Sequence, residues 1–175
     1  TFRTTTSETM AFSYAAEWLL DNYYVVQQSL HQIEEDLSPA FYQHLPRLNS
    51  GEPLQNYPRV YDLACQFLIT EVCQLDLEHV YQFVWAYQAV TPLTMGELWA
   101  LPIMLRLVLL ESMTQAIGRL THLPPEPLPP ALQCNHSCSD TDVVANCIPS
   151  LRLLAGEDWL LFFERISQVE QILRQ

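Results

Sequence analysis

Apolar residues recur three or four positions apart through most of this 175-residue chain. That spacing places them on one face of an α-helix, so that each helix offers a single stripe to a core. Nearly half of the residues are apolar, and only four are glycine, too few for a turn-rich sandwich or barrel. The sequence therefore predicts an all-α fold, an irregular multi-helix bundle.

Capping residues and prolines mark the ends of the predicted helices. Ser, Thr and Asp favour N-caps because their side-chain oxygens accept backbone N–H groups of the first turn, and Thr94 with Glu97 has the spacing of a capping box. The predicted helices run from about Glu8 to Leu37, Ser38 to Pro46, Pro58 to Gln74, Leu77 to Val90 (capped by Asp76), Thr94 to Leu120, Ser139 or Asp140 to Ala155, and Asp158 to Arg174.

The fifth of these helices is expected to be the central one, because both of its faces are apolar. Pro102 lies inside it and is expected to kink or split it, since proline removes a backbone donor. Arg106 lies among apolar neighbours and is expected to pair with a carboxylate, because buried charges are usually paired. The candidate partners are Asp21, Glu97 and Glu111.

The segment 122–138 is rich in proline and cysteine and is predicted to be a linker, extended or disordered. It separates a helical core, residues 1–121, from a C-terminal helical pair, residues 139–175. The pair is predicted to pack on the core as part of the same domain. The helical pattern reaches Arg174 without a stop signal, so we expect the chain to continue in a longer polypeptide.

The charge balance disfavours two classes of partner. The net charge is −12, and the basic residues are eight arginines with no lysine. Nucleic acid needs a basic stripe and anionic lipid needs a basic surface, so neither is expected to bind. The most apolar stretch, Leu98 to Leu110, falls short of the ~20 residues that a membrane span requires. We therefore expect a core helix and no direct membrane span.

Five cysteines are present, and we expect them to be reduced thiols. Cys134, His136, Cys138 and Cys147 are residue types that bind zinc, but their spacing is not that of a finger or ribbon. The simpler interpretation is a linker with incidental thiols, so we expect no metal site and no cofactor.

Residues that could carry out catalysis have simpler structural roles. Asp140-Thr141-Asp142 matches a metal-binding motif of nucleotide-sugar transferases, but it opens a helix, where acidic residues are ordinary. Glu17, Asp21, Glu97 and Glu111 could supply a pair for glycoside cleavage, although ion pairs with arginine are favoured. The chain has neither a nucleophile elbow nor a phosphate-binding glycine loop. No catalytic residue is predicted.

Aromatic residues are numerous, and they can either fill helix interfaces or stack on sugar rings. Interface filling is favoured, because the residues recur at helical spacing, so most are expected to be buried. They are Trp18, Tyr23, Tyr24, Phe41, Tyr42, Tyr57, Tyr61, Tyr81, Phe83, Trp85, Tyr87 and Trp99.

Several long motifs resemble the N-terminal region of cyclic β-1,2-glucan synthases, a family of very large bacterial inner-membrane glycosyltransferases. The resemblance covers nearly the whole chain except about 122–139, and Thr70 to Gln74 also departs from it. The main motifs are Trp18-Leu19-Leu20-Asp21-Asn22-Tyr23-Tyr24-Val25-Val26, Tyr57-Pro58-Arg59-Val60-Tyr61, Pro92-Leu93-Thr94-Met95-Gly96-Glu97-Leu98-Trp99-Ala100-Leu101-Pro102, Val144-Ala145-Asn146-Cys147-Ile148 and Asp158-Trp159.

The resemblance implies a non-catalytic accessory or scaffold domain of a polypeptide that makes β-1,2-glucan from UDP-glucose. Its partners would be downstream domains of the same polypeptide, at the cytoplasmic face of the inner membrane. One alternative is a helical module that binds the glucan, and another is an independent hydrolase or transferase. The residues expected to serve as structural or sugar contacts are Trp18, Asp21, Asn22, Arg59, Tyr61, Glu97, Trp99 and Arg106.

Overall fold

The structure, a computed structural model, describes residues 16–49, 51, 54–122 and 139–166, and this part of the chain is all-α as predicted. One isolated antiparallel bridge joins Arg47 and Pro58 at the base of a loop. A helical segment at residues 16–21 comes first. The helices that follow are α1 (Tyr23–Asp36), α2 (Pro39–His44), α3 (Arg59–Thr70), α4 (Leu77–Gln88), α5 (Met95–Leu120), α6 (Asp140–Gly156) and α7 (Trp159–Ile166).

Helix α5 is the centre of the fold, which confirms its predicted position. It packs against α6 and α3 along much of its length and also contacts α1 and α7. Of its 26 residues, 15 are buried. A helix that is apolar around its whole circumference must be surrounded by other helices to remove that surface from water. Four of the remaining helices therefore pack on α5, whereas α4 packs against α7.

Pro102 does not split α5, which runs unbroken from Met95 to Leu120. Proline in a helix interior removes one backbone hydrogen bond and costs about 3 kcal/mol. Here the flanking residues Leu101 and Ile103 are buried, as is Pro102 itself. Apolar burial at about 0.8 kcal/mol per CH₂ group offsets the lost bond over this turn.

The first predicted helix is not continuous, because the chain turns at Asn22 between the 16–21 segment and α1. The side-chain Nδ2 of Asn22 donates a 2.6 Å hydrogen bond to the carbonyl of Trp18. Asparagine can compete in this way with the backbone ladder, which interrupts helices. The predicted start at Glu8 lies outside the described residues.

The predicted N-caps are confirmed. Ser38 accepts from the N–H of Phe41, Asp76 accepts from Glu78 and His79, and Ser139 accepts from Asp142. The Thr94–Glu97 capping box is present in full at the start of α5. Asp158 accepts from the N–H of Leu160 at 3.1 Å in front of α7. Local sequence thus determines where these helices start.

Helix α3 ends at Thr70, about four residues earlier than predicted, because Val72 and Cys73 adopt positive φ angles of 53° and 59°. This conformation costs a non-glycine residue roughly 1–2 kcal/mol. Side chains of α6 offset the cost: Asn146 donates to the carbonyl of Val72 at 3.1 Å, and Ser150 donates to that of Cys73 at 2.9 Å. The turn is therefore held by tertiary contacts.

By length and apolarity alone, α5 could cross a membrane, and it is the one helix of the described residues that could. Its most apolar 18-residue stretch is 72% buried within the protein, however. Core helices of soluble proteins show the same combination. The burial favours the predicted core helix.

The described thiols lie in the core. Cys65, Cys73 and Cys147 are unbonded and buried, whereas Cys134 and Cys138 lie outside the described residues. The thiols of Cys73 and Cys147 are neighbours in the core. The predicted linker also lies almost entirely outside the described residues, and the division into core, linker and helical pair stays a prediction.

We expect thiol counting under denaturing, non-reducing conditions to find all five cysteines reactive. In the folded protein Cys65, Cys73 and Cys147 should be protected, because reagent cannot reach a buried thiol. The check is Ellman titration with and without denaturant. A count lower by two in denaturant would contradict the expectation and would indicate one disulfide among the five cysteines.

Candidate functional site

A fully buried carboxylate, Glu97, joins α3 to the start of α5. Its Oε1 accepts from Nε of Arg59 at 2.8 Å, and its Oε2 accepts from the second guanidinium nitrogen of Arg59 at 2.7 Å. The same Oε2 accepts from the backbone N–H and hydroxyl of Thr94 at 2.8 and 2.9 Å. The guanidinium also donates to the carbonyl of Pro92 at 3.2 Å. The predicted ion pair of Glu97 with arginine is confirmed.

Burial alone would raise the pKa of Glu97, but the hydrogen bonds from Arg59 and Thr94 outweigh it and hold that pKa below its ordinary value. The carboxylate is therefore charged and fully engaged. A general acid must carry a proton and a general base needs a free lone pair. Glu97 is a structural residue in this arrangement.

A second carboxylate on the same side of α5, Glu111, accepts a 2.7 Å hydrogen bond from the hydroxyl of Tyr61. Burial raises the pKa of Glu111 and moves the pKa of Tyr61 well above its usual range. Fourteen positions separate Glu97 and Glu111, or about 21 Å along a helix. Glycosidase carboxylates lie within about 10 Å of each other. These two cannot flank one glycosidic bond.

Asn22 connects the N-terminal helices to α6. Its Oδ1 accepts from the guanidinium of Arg152, which also donates to the hydroxyl of Tyr24 at 2.9 Å and lies 5.7 Å from that ring. The carbonyl of Trp18 accepts the hydrogen bond from the Asn22 side chain, while its indole is exposed. Asp21 is exposed as well. Sequence reasoning missed Arg152, because 130 positions separate it from Asn22.

The predicted ion pair of Arg106 is wrong. Its guanidinium donates to the carbonyl of Leu154 at 2.8 Å, its Nε has no acceptor, and no carboxylate of the described residues lies within 4.0 Å. Two candidate partners are engaged elsewhere, Glu97 with Arg59 and Glu111 with Tyr61. Burial lowers the pKa of Arg106, and the charge of Asp36 acts in the opposite direction. A buried donor without an acceptor costs about 1–3 kcal/mol.

Arg106 lines a pocket of about 390 Å³ where α1, α2, α5 and α7 meet. That volume is within the range of small-molecule sites. The α5 residues have the i, i+3, i+4, i+7 spacing of one helix face. Four of the eight lining residues are aromatic, and the ring centres of Trp99 and Phe163 are 4.4 Å apart. The lining residues are Asp36, Phe41, Trp99, Pro102, Ile103, Arg106, Trp159 and Phe163.

The expectation that the predicted aromatic residues fill helix interfaces is confirmed for about half of them. Tyr61 is buried, and six others are partly buried against the core. The exposed ones are Trp18, Tyr23, Tyr24, Trp85 and Trp99. Trp99 is 49% exposed. Apolar spacing marks the face that points inward, but it does not say whether a neighbouring helix covers the whole ring. Trp159 and Phe163 of the pocket were not singled out, although their i, i+4 spacing was a readable signal.

The proposed transferase motif is a helix start, as expected. Ser139 is the N-cap of α6, and Asp140 accepts a 2.8 Å hydrogen bond from Nε of Arg119. Of the potential zinc ligands, Cys147 lies in the core and donates to the carbonyl of Leu109, and the other three lie outside the described residues. The described part of the chain contains no cluster of metal-ligating side chains.

We expect Arg59→Ala to lower the free energy of unfolding by about 3–5 kcal/mol, because it leaves the buried carboxylate of Glu97 without its cation. The matched control is Arg165→Ala, which removes an exposed pair with Glu78 and a contact with the ring of Tyr81 and should cost about 1–2 kcal/mol. Urea denaturation at pH 7 measures both. Equal losses would contradict the structural role of the pair.

We expect Glu111→Gln to change how stability depends on pH. The pKa of Glu111 is raised in the folded protein, so its favourable contribution is present below the unfolded pKa of about 4.3 and is lost as pH rises through the folded pKa. The variant should lack this decline, which begins above about pH 4.3. Glu97→Gln is the control of opposite sign, because its pKa is lowered. The check is the melting temperature of each protein as a function of pH. The same pH dependence for wild type and Glu111→Gln would contradict the raised pKa.

Comparison with known proteins supports a relation to one family. No family model matches the chain. The chain is 36% identical over 107 residues to the cyclic β-(1,2)-glucan synthase NdvB of Rhizobium meliloti (strain 1021). The match covers 61% of this chain and 4% of that protein. The chain therefore resembles one small segment of a much longer glucan synthase.

Proposed function

We propose that this chain is a non-catalytic accessory domain of a cyclic β-1,2-glucan synthase. The similarity to NdvB carries the proposal. The longer polypeptide would make β-1,2-glucan from UDP-glucose and would cyclise it in other domains. The accessory domain would work without a cofactor, at the cytoplasmic face of the bacterial inner membrane.

The engagement of the buried carboxylates supports a non-catalytic role. The carboxylate of Glu97 accepts hydrogen bonds from Arg59 and Thr94 on both of its oxygens. Glu111, about four helical turns further along α5, accepts a hydrogen bond from Tyr61. The Asp-x-Asp motif at Asp140 serves a helix start and an ion pair. Three of the candidate carboxylates, those of Glu97, Glu111 and Asp140, are thus engaged in contacts between helices.

A docking role is supported by an exposed apolar patch near the start of the described chain, formed by Trp18, Leu20, Tyr23 and Tyr24 and here named the N-terminal patch. Leu20 is 75% exposed. Several large apolar side chains exposed so close together in the sequence are typical of an interaction surface. The occupant we propose is another domain of the same polypeptide, because the matched relative is far longer than this chain.

We expect this chain to replace the matching segment of NdvB without loss of cyclic glucan synthesis, whereas deletion of that segment should abolish synthesis. In the chimera, Leu20→Asp should reduce synthesis at least tenfold, because a charge in the N-terminal patch opposes docking. Val90→Asp, at an exposed apolar residue outside the patch, is the matched control and should have no effect. Glucan is measured in isolated membranes, and melting of both variant chains checks folding.

The chain by itself should not turn over UDP-glucose or cleave β-1,2-glucan. Radiolabelled substrate followed by chromatography provides the measurement. Turnover by the isolated chain would support the alternative of an independent transferase or hydrolase. A deletion that leaves glucan synthesis unchanged would rule out the accessory role.

A further inference from the structure

We propose that the pocket around Arg106 binds a neutral saccharide, one or two glucose units of a β-1,2-linked glucan. The saccharide class follows from the chemistry of the pocket. The choice of β-1,2-linked glucose rests on the function proposed above.

Hydrogen-bond donors are in surplus at the base of the pocket. A guanidinium carries five N–H donors, yet Arg106 makes one hydrogen bond to the described protein, to the carbonyl of Leu154. Arg106 is 5% exposed, and its Nε is enclosed without an acceptor. Its Nη1 also has no acceptor among the described residues but is not enclosed, so it is the donor that a ligand in the pocket can reach. The same carbonyl accepts from Nε1 of Trp159 at 3.0 Å, so it is satisfied without Arg106. The guanidinium thus needs an acceptor that the protein does not provide.

The lining of the pocket also includes an acceptor group. Asp36 lines the pocket with Arg106, and the two side chains are farther apart than the 4.0 Å of an ion pair. A hydroxyl group between them can accept from the guanidinium and donate to the carboxylate, since hydroxyls do both. A carboxylate or phosphate ligand would satisfy Arg106 but would be repelled by Asp36. The net charge of −12 also disfavours anions.

The walls of the pocket suit the apolar faces of a pyranose ring. Trp99, Trp159 and Phe163 form a connected group of aromatic rings with centroids 4.4 and 6.3 Å apart. The indole of Trp99 is half-exposed, so one of its surfaces is free to contact a ligand. Rings of this kind cover C–H faces, while a few placed polar groups set orientation. A purely apolar ligand would need only the aromatic walls. The polar groups that can bind a hydroxyl between them favour a saccharide.

The test is calorimetric titration of the chain with a linear β-1,2-linked glucose trisaccharide. We expect a dissociation constant on the order of 0.1–1 mM. Trp99→Ala and Arg106→Met should each weaken binding at least tenfold. Arg106→Met should fold as well as wild type, because methionine removes an unpaired buried charge and Leu154 keeps its bond from Trp159. The matched control is Trp85→Ala, a half-exposed tryptophan on α4 outside the pocket, which should bind as wild type does.

Three outcomes would overturn the proposal: no binding by the wild-type chain, binding that Arg106→Met leaves unchanged, or stronger binding of hexanoate than of the trisaccharide. The last would make the pocket an anion site. If the chain does not bind the trisaccharide but the NdvB chimera is active, the accessory role stands and the sugar site is wrong. If the chain binds the trisaccharide but the chimera is inactive, the sugar site stands and the accessory role is wrong.

Discussion

The fold depends on how one fully buried carboxylate is satisfied. Glu97 caps the first turn of α5 through Thr94 and ties that turn to α3 through the guanidinium of Arg59. A charge so deep in the protein is tolerated only when hydrogen bonds replace the water that it has lost. Since α5 is the helix on which four others pack, this single contact fixes both where the central helix begins and which helix lies beside it.

Helix boundaries could be predicted from the sequence because caps are local. Ser38, Asp76 and Ser139 each satisfy an N–H two or three residues away, so the signal and the structure share one short segment. The break at Asn22 is local too, but an asparagine inside a helical pattern has no distinctive sequence signature, and its side chain stays there partly because Arg152 holds it. The early end of α3 depends on Asn146 and Ser150, more than 70 positions away, which no local rule can supply.

The partner of Arg106 could not be predicted for a related reason. Periodicity shows that Arg106 lies among apolar neighbours, but it does not show which residues of other helices face it. Three carboxylates were candidates, and the structure assigns two of them, Glu97 and Glu111, to α3. The same gap explains the exposed aromatic residues. Spacing identifies Trp99 as part of a helix face, but its exposure depends on how α7 packs beside it.

The two charges buried in α5 show how one helix can serve both stability and binding. Glu97 and Arg106 are nine positions apart, two and a half turns, so they point to opposite sides of the helix. On the α3 side Glu97 is fully paired, and removing Arg59 would leave a buried carboxylate without a cation. On the other side the guanidinium has one carbonyl acceptor and an open pocket, where an apolar side chain would pack at lower cost. Folding alone therefore accounts for the glutamate and not for the arginine. A hydroxyl-bearing ligand held between Arg106 and Asp36 would account for it, because the donor would then gain the acceptor that it lacks.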